Sequence, residues 1–556
     1  MPHTSARSVP GTRTARSVRR RATRRRATLV ATALAALAAV PSVAAGSPAG
    51  PLDGPGDGPS APVAPMGIGD RLFPHLGNPG YDVTSYDVTF EYHGNDKPLD
   101  AVTTISAHAT DTLESFNLDF TNGTVRSVEV NGRAARFATA EEDLVIAPQI
   151  MVPERGYFQV TVHHTSDPRG QGKGGWIKTS DGLVMANQAN AAHRVFPCND
   201  HPSDKARFTF RVTAPKDLTV VANGLPRGHT HDGPETTWEY RSRHPMATEL
   251  AQVAIGRSTI VRRRGPGGLP VRDVVPTAER RRLAKWLAKT PAQLEWMEER
   301  VGRYPFETYG VLIADATTGF ELETQTLSLF EQDLFLESRL PAWYVDSIMV
   351  HELAHQWFGN SVSPRAWSDL WLNEGHATWY EALYADQHGE MSLDKRMKWA
   401  YGMSDAWRAQ GGPPADPEPS KPGQPIGIFR PAVYDGSALI LYALRQEMGK
   451  EPFERLQREW ASRNRDGVAS TEDFVGLASD IAGRDLTGFL HSWLYDRKTP
   501  PMPGHADWKA TATTAAKQPP TKQSPAQAAH AAHPLHPAQA AKQTAKAPGK
   551  QAPPAG

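Results

Sequence analysis

"MVHELAHQWFGN", Met349 to Asn360, sets two histidines four residues apart, with a glutamate after the first, in an apolar helical run. Val345, Ile348, Met349 and Leu353 form an apolar stripe at helical spacing. Pro341 suits a first turn and Gly359-Asn360 a stop. His351 and His355, at i and i+4, project from one side of the helix, one turn apart. That separation lets two imidazoles meet one tetrahedral zinc. Glu352 lies beside His351, able to reach the open position where a water would sit. A histidine pair in a buried helix also arises as plain packing, so the motif needs a third ligand before it specifies a metal.

A catalytic zinc takes three protein ligands and keeps a fourth position open. The stretch "WSDLWLNEGHATWYEAL" offers the third, Glu374, at what reads as the start of the next helix. A short connection between two packed helices would bring that carboxylate back over the histidine pair. An acid in a first helical turn is also favoured by the helix dipole alone. Asp369 and Glu381 are candidate partners for the outer nitrogens of the ligating histidines, with solvent-facing acids as the alternative.

Outward from this helix the period changes. From about Met66 to Arg262 the chain reads as strands. "YDVTFEY" alternates Tyr86, Val88, Phe90 and Tyr92 on one face. "SVEVNGRAARF" carries Asn131-Gly132 between two extended runs, a hairpin signal. "FQVTVHH", "FTFRVTAP" and "LTVVANG" continue the pattern, which suggests an antiparallel sandwich or curved sheet. After Gly265, "AERRRLAKWLAKTPAQLEWMEERVG" reads as helix, "YGVLIADA" as a short strand, and helical patterns run on to "LHSWLYD". The fold class is α+β: an antiparallel β domain at residues 67–262, then a mostly helical domain at residues 263–502.

His351-Glu352-x-x-His355 with Glu374 downstream, inside "VHELAHQWFGN" and "WLNEGH", resembles the M1 family of zinc aminopeptidases, which includes leukotriene A4 hydrolase. "QANAAHRVFPCNDHPSDKARFTF" is similar to the family's N-terminal block, and "VYDGSALILYALRQEMG" to its tyrosine block. The resemblance covers about residues 70 to 502 and implies a short two-domain form with a thermolysin-like catalytic domain. It implies that His351, His355 and Glu374 hold one Zn2+ per chain and that Glu352 is the general base. It implies that Tyr434 stabilises the oxyanion, and that Glu323, assisted by Gln188, holds the substrate's free α-amine.

Departures from the family pattern also carry information. Where the family has Gly-Ala-Met-Glu-Asn, this chain has Phe320-Glu321-Leu322-Glu323-Thr324. Glu321 adds a second acid, and strand alternation puts it on the same face as Glu323. Gly436-Ser437 stands where the family usually has Lys-Gly, and His376 replaces the commoner Phe, as in leukotriene A4 hydrolase. Cys198 reads as a buried family cysteine. Beyond Pro503 the composition falls to Ala, Gln, Lys, Pro and His, which predicts a disordered tail over 503–556 and a cleft more open than in longer family members.

Over 556 residues the formal charge is +1, but an arginine-rich block up to Arg26 hides an acidic remainder, which is no footprint for nucleic acid. That block precedes an apolar run, Leu29 to Val40, and small residues at Val43-Ala44-Ala45, so residues 1–45 read as an export signal of the Sec or twin-arginine kind. A Pro/Gly-rich linker, residues 46–66, follows. The expected protein is a secreted, monomeric zinc aminopeptidase acting on peptides or proteins, without membrane insertion once the leader is removed. The alternatives are an endopeptidase or bifunctional epoxide hydrolase on the same fold, and a catalytically inactive binding module, which would be expected to lack ligands or base.

Overall fold

The computed structural model describes residues 67–170, 174–336, 340–419 and 427–510. The expected leader, the linker at 46–66 and the tail from residue 511 lie outside the described residues.

Tyr86, Val88, Phe90 and Tyr92 are all buried, as their period requires. The strand that holds the first three, Tyr81–Glu91, lies inside an eight-stranded sheet. It pairs antiparallel with Leu99–Ala109 and parallel with Arg207–Pro215, so the sheet is mixed where antiparallel pairing was expected. Alternation encodes which face is buried, not the direction of a neighbour. Asn131 and Gly132 have φ of 52° and 71°, as a two-residue type I′ hairpin demands, and join Val125–Val130 to Arg133–Ala134. A three-stranded and a four-stranded sheet complete the β domain.

A second four-stranded sheet joins the two domains. Its strands are Ser258–Arg264, Pro270–Pro276, Val311–Ala314 and Ser328–Glu331. Val274, Leu312 and Leu329 pack into the β-domain core, while Val271, Val275, Val311, Ile313 and Phe330 pack into the helical core. Burial on both faces explains the unbroken apolar run "VLIA". The expected boundary after Arg262 therefore falls inside a strand. Composition changes there, but the backbone pairing does not. Beyond Ser328–Glu331, Leu322 and Leu329 exchange backbone hydrogen bonds of 2.9 and 2.7 Å, which sets residues 321–323 along that sheet's outer side.

Helices then dominate. The stretch read as one helix from Ala278 breaks into Arg280–Leu287 and Thr290–Val301, with Pro291 in the first turn of the second. Four helices surround the site: Ala342–Ala354, Trp371–Gln387, Leu393–Gly411 and Asp435–Met448. The first is buried continuously from Tyr344 to Ala354, as an all-round apolar helix must be. It ends sooner than Gly359-Asn360 suggested, with His355 as its cap. From there the chain turns: Asn360 N–H donates to the His355 carbonyl at 3.0 Å, and Gly359 takes a φ of 123°.

The expected tail begins later than composition implied. Met502 and Trp508 are buried in the helical core, and His505 Nε2 lies 2.9 Å from the Tyr442 hydroxyl. Trp508 stacks on Tyr442 at 12° between planes. One tryptophan with a receptive aromatic face outweighs a low-complexity neighbourhood. No helix among the described residues is long and apolar enough to cross a membrane.

Candidate active site

Two helices and their close contact build the centre. His351 and His355 come from the end of the 342–354 helix, and Glu374 from the first turn of the 371–387 helix. The carboxylate does fold back over the histidine pair: Glu374 Oε2 lies 3.4 Å from Nε2 of both imidazoles. Tyr434 is the N-cap residue of the 435–448 helix. A side chain on Gly375 would meet Ser437 Cβ at 2.6 Å, so glycine there permits the contact between the Glu374 and Tyr434 helices. The Tyr434 ring lies parallel to His351, with centroids 6.0 Å apart.

The donor set fits a zinc ion. His351 Nδ1 meets Glu381 Oε2 at 3.1 Å, and His355 Nδ1–H donates to the Phe358 carbonyl at 3.1 Å. With Nδ1 so occupied, each Nε2 faces the shared point, as in zinc-ligating histidines whose other ring nitrogen is held from behind. Glu374 Oε2 is buried and has no hydrogen-bond donor among the described residues. Against burial, the His355 and His351 imidazoles hold Glu374 below the usual carboxylate range. Despite burial, the glutamates around them hold both imidazoles above the ordinary histidine value. A cation bound there would take the place of the imidazole protons that this carboxylate now attracts.

Glu352 is buried beside this point, and burial holds its carboxyl above the usual range against the pull of His351 and His355. Its Oε2 has no donor either. Glu323 approaches from the other side, and its carboxylate, Glu352 and His355 bring ligand atoms within 4.8 Å of one another. Gln188 Nε2 donates to Glu323 Oε1 at 2.6 Å, so the β domain reaches the site. Burial, with the charges of Glu374, Glu323 and Glu352, keeps the Tyr434 phenol protonated well above its ordinary range. Glu321 lies on the His351 side and is partly buried.

One expectation changes, and two departures from the family pattern find their partners. Asp369 does not touch a ligand. Its carboxylate accepts from the Thr471 backbone at 3.0 Å and the Ala366 backbone at 3.2 Å, so it ties a turn to a helix start. His376 stacks flat on Phe358 at 4.3 Å and gives its Nδ1 proton to the Leu372 carbonyl. Thr324, where the family has Asn, spends its hydroxyl on the Leu327 carbonyl and closes the turn behind Glu323.

Other residues escaped the sequence reading. Gln356 Nε2 and Asn360 Nδ2 both donate to the Glu323 carbonyl, at 3.0 and 2.6 Å. Their one signal was polarity inside the quoted motif. Arg396, buried on the 393–411 helix, donates to Glu381 at 2.8 Å and to Asp435 at 3.1 Å. It thereby links the carboxylate behind His351 to the residue after Tyr434.

The family model described as Peptidase M1 N-terminal domain matches residues 178–250, and that described as Peptidase family M1 domain matches residues 286–493. The chain belongs to peptidase family M1. It is 26% identical over 403 residues to aminopeptidase N of Streptomyces lividans, covering 68% of this chain and 46% of that one. It is 24% identical to probable aminopeptidase 1 of Saccharolobus solfataricus, covering 74% of this chain and 53% of the relative. The chain thus spans about half the length of these curated relatives. A crystal structure of an M1 zinc metallopeptidase from Deinococcus radiodurans superposes with a TM-score of 0.66 at 25% identity, covering 79% of this chain and 99% of that one. The fold is therefore that of a two-domain M1 zinc metallopeptidase.

Proposed function

We propose that this M1 chain is an aminopeptidase that hydrolyses the first peptide bond of peptides with a free N-terminus. One observation carries the reading: the Gln188-braced Glu323 carboxylate within 4.8 Å of Glu352 and His355. An α-ammonium is two bonds from the carbonyl carbon it precedes. A carboxylate this close to the metal ligands suits that ammonium, and leaves little room for a preceding residue. A buried ammonium requires such a partner.

The side chains divide the work. Glu323 pairs with the ammonium, while Gln356 and Asn360 hold its backbone and Gln188 its carboxylate. His351, His355 and Glu374 would hold the zinc ion, which when bound polarises the scissile carbonyl and acidifies a water. Glu352 takes a proton from the attacking water and returns it to the leaving amine. The Tyr434 hydroxyl donates to the oxyanion as the carbonyl carbon becomes tetrahedral.

Paired substrates test this reading. Free-amine peptides are expected to lose one residue at a time, and N-acetylated copies to be almost inert. Glu323→Ala is expected to weaken kcat/KM for free-amine peptides by about 2–5 kcal/mol, as for unpairing a buried charge. Mass-spectrometric product ladders read both. Equal turnover of blocked and free peptides would leave an endopeptidase.

The basic block to Arg26, the apolar run and the Val43-Ala44-Ala45 site support export through a cleaved leader. Mature protein in the culture medium is then expected to start near Gly46. Terminal peptides show this directly, and an intact Met1 on cytosolic material would rule it out.

A further inference from the structure

We infer that Glu321 makes the leaving-group side of the cleft selective for peptides whose second residue is a cation, lysine or arginine. The inference rests on the aminopeptidase reading, because it takes the α-amine to lie at Glu323.

The placement comes from the backbone. Leu322 exchanges two hydrogen bonds with Leu329, and its side chain is buried in the β-domain core. In extended chain the flanking residues point the other way. Glu321 and Glu323 therefore both face the metal helix, about 7 Å apart by the rise of an extended strand. Their surroundings differ. Glu323 feels His355 and Glu374 most strongly and is braced by Gln188. Glu321 feels Glu331 and His351, and its charge in turn reaches Glu352 and Tyr344. The two acids thus flank the reacting centre along the direction of the strand.

A substrate anchored at Glu323 has its first residue there and its scissile carbonyl over the histidines. Gln188 and the β domain close the Glu323 end. The peptide leaves along the strand toward Glu321, with the second α-carbon about 3.8 Å beyond the first. A lysine or arginine at that second position brings its charged end within reach of Glu321.

Glu321 needs such a partner. Among the described residues no lysine or arginine pairs with it, and no side chain hydrogen-bonds to it. The Glu331 carboxylate repels it, and Glu331 already accepts from Thr318 and from the Gly319 backbone. Unlike Glu323 it is partly exposed, and burial with the neighbouring Glu331 raises its carboxyl to about 7, so a cation beside it would restore the charged form. A partly exposed acid beside another acid favours a cation over an apolar or acidic side chain.

The test uses the full chain, loaded with zinc and carrying Glu352→Gln so that peptides bind without being cut. Calorimetric Kd values are compared for Ala-Lys-Ala and Ala-norleucine-Ala, which differ at the second residue chiefly in the charge. The lysine peptide is expected to bind about 10- to 100-fold more tightly, as a charge-assisted bond would give. Adding Glu321→Gln, which keeps the shape, is expected to bring the two Kd values together. Glu321→Lys is expected to turn the preference toward Ala-Glu-Ala. Equal Kd values with Glu321 intact would overturn the inference and leave the aminopeptidase standing. A Glu321→Gln loss equal for both peptides would also overturn it, and would assign Glu321 to the amine. If free and N-acetylated peptides bind alike, the aminopeptidase reading itself fails.

Discussion

Glu352→Gln is expected to keep its metal and lose nearly all turnover. The carboxylate is buried, its Oε2 has no donor among the described residues, and it stands within the same 4.8 Å group as Glu323 and His355. An amide fills the same space but cannot accept the proton of the attacking water. General acid–base catalysis contributes about 10²–10⁴-fold, and one residue here would both take and deliver the proton. The loss is therefore expected in kcat at about that size, with peptide Kd nearly unchanged. Steady-state kinetics beside metal analysis of the same preparation separates this from a folding defect. The acid that competes for the role is Glu323, which shares the space. If Glu323→Gln removed kcat while Glu352→Gln only raised KM, the two assignments would have to be exchanged.

The His351, His355 and Glu374 cluster and the Gln188–Glu323 pair were foreshadowed in the sequence for different reasons. His351 and His355 are tied by helical geometry, so four residues of spacing already fix their relative direction. Glu374 needed the packing of a second helix, which spacing suggests but Gly375 permits, through its contact with Ser437. Gln188 and Glu323 are far apart in the chain, and nothing local to either implies a 2.6 Å bond. Only the family likeness brought them together. Gln356 and Asn360 sat in the quoted motif with no role, because their partner is a backbone carbonyl on a distant edge. Arg396 was invisible: "LDKRMKWAYG" looks like a solvated helix, and only the structure shows its guanidinium buried between Glu381 and Asp435. Asp369 misled because it lies near the ligands in sequence, while its carboxylate caps a turn. The β domain was readable as buried and exposed faces, and unreadable in strand direction.

Replacing a ligand is expected to remove the metal altogether. His351→Ala, His355→Ala and Glu374→Ala each leave two ligands of three, and a catalytic zinc with two protein ligands is poorly held. Purified wild-type protein is expected to carry about one zinc per chain, and each of these variants almost none. Activity should fall with the metal and return to the wild type, not to the variants, when zinc is added after chelation. A graded series supports the assignment from outside the triad. Glu381→Gln keeps all three ligands but weakens the acceptor behind His351, so zinc affinity is expected to fall about 10–100-fold. Competition against a chelator of known affinity reads that loss. Stability offers an independent check: a ligand that binds only the folded state raises Tm with its concentration. Zinc should therefore lift the Tm of the wild type and leave that of the alanine variants unmoved. Full zinc occupancy in all three alanine variants would put the ion elsewhere. Among the described residues the Glu91, His93 and Asp100 group is one other candidate, but it lies at the surface and Asp100 is already paired with Arg126. Such a site would hold zinc loosely in high-dielectric surroundings, and its loss would not touch catalysis. The triad is buried, its imidazoles are oriented from behind, and one carboxylate oxygen is left for a cation to fill.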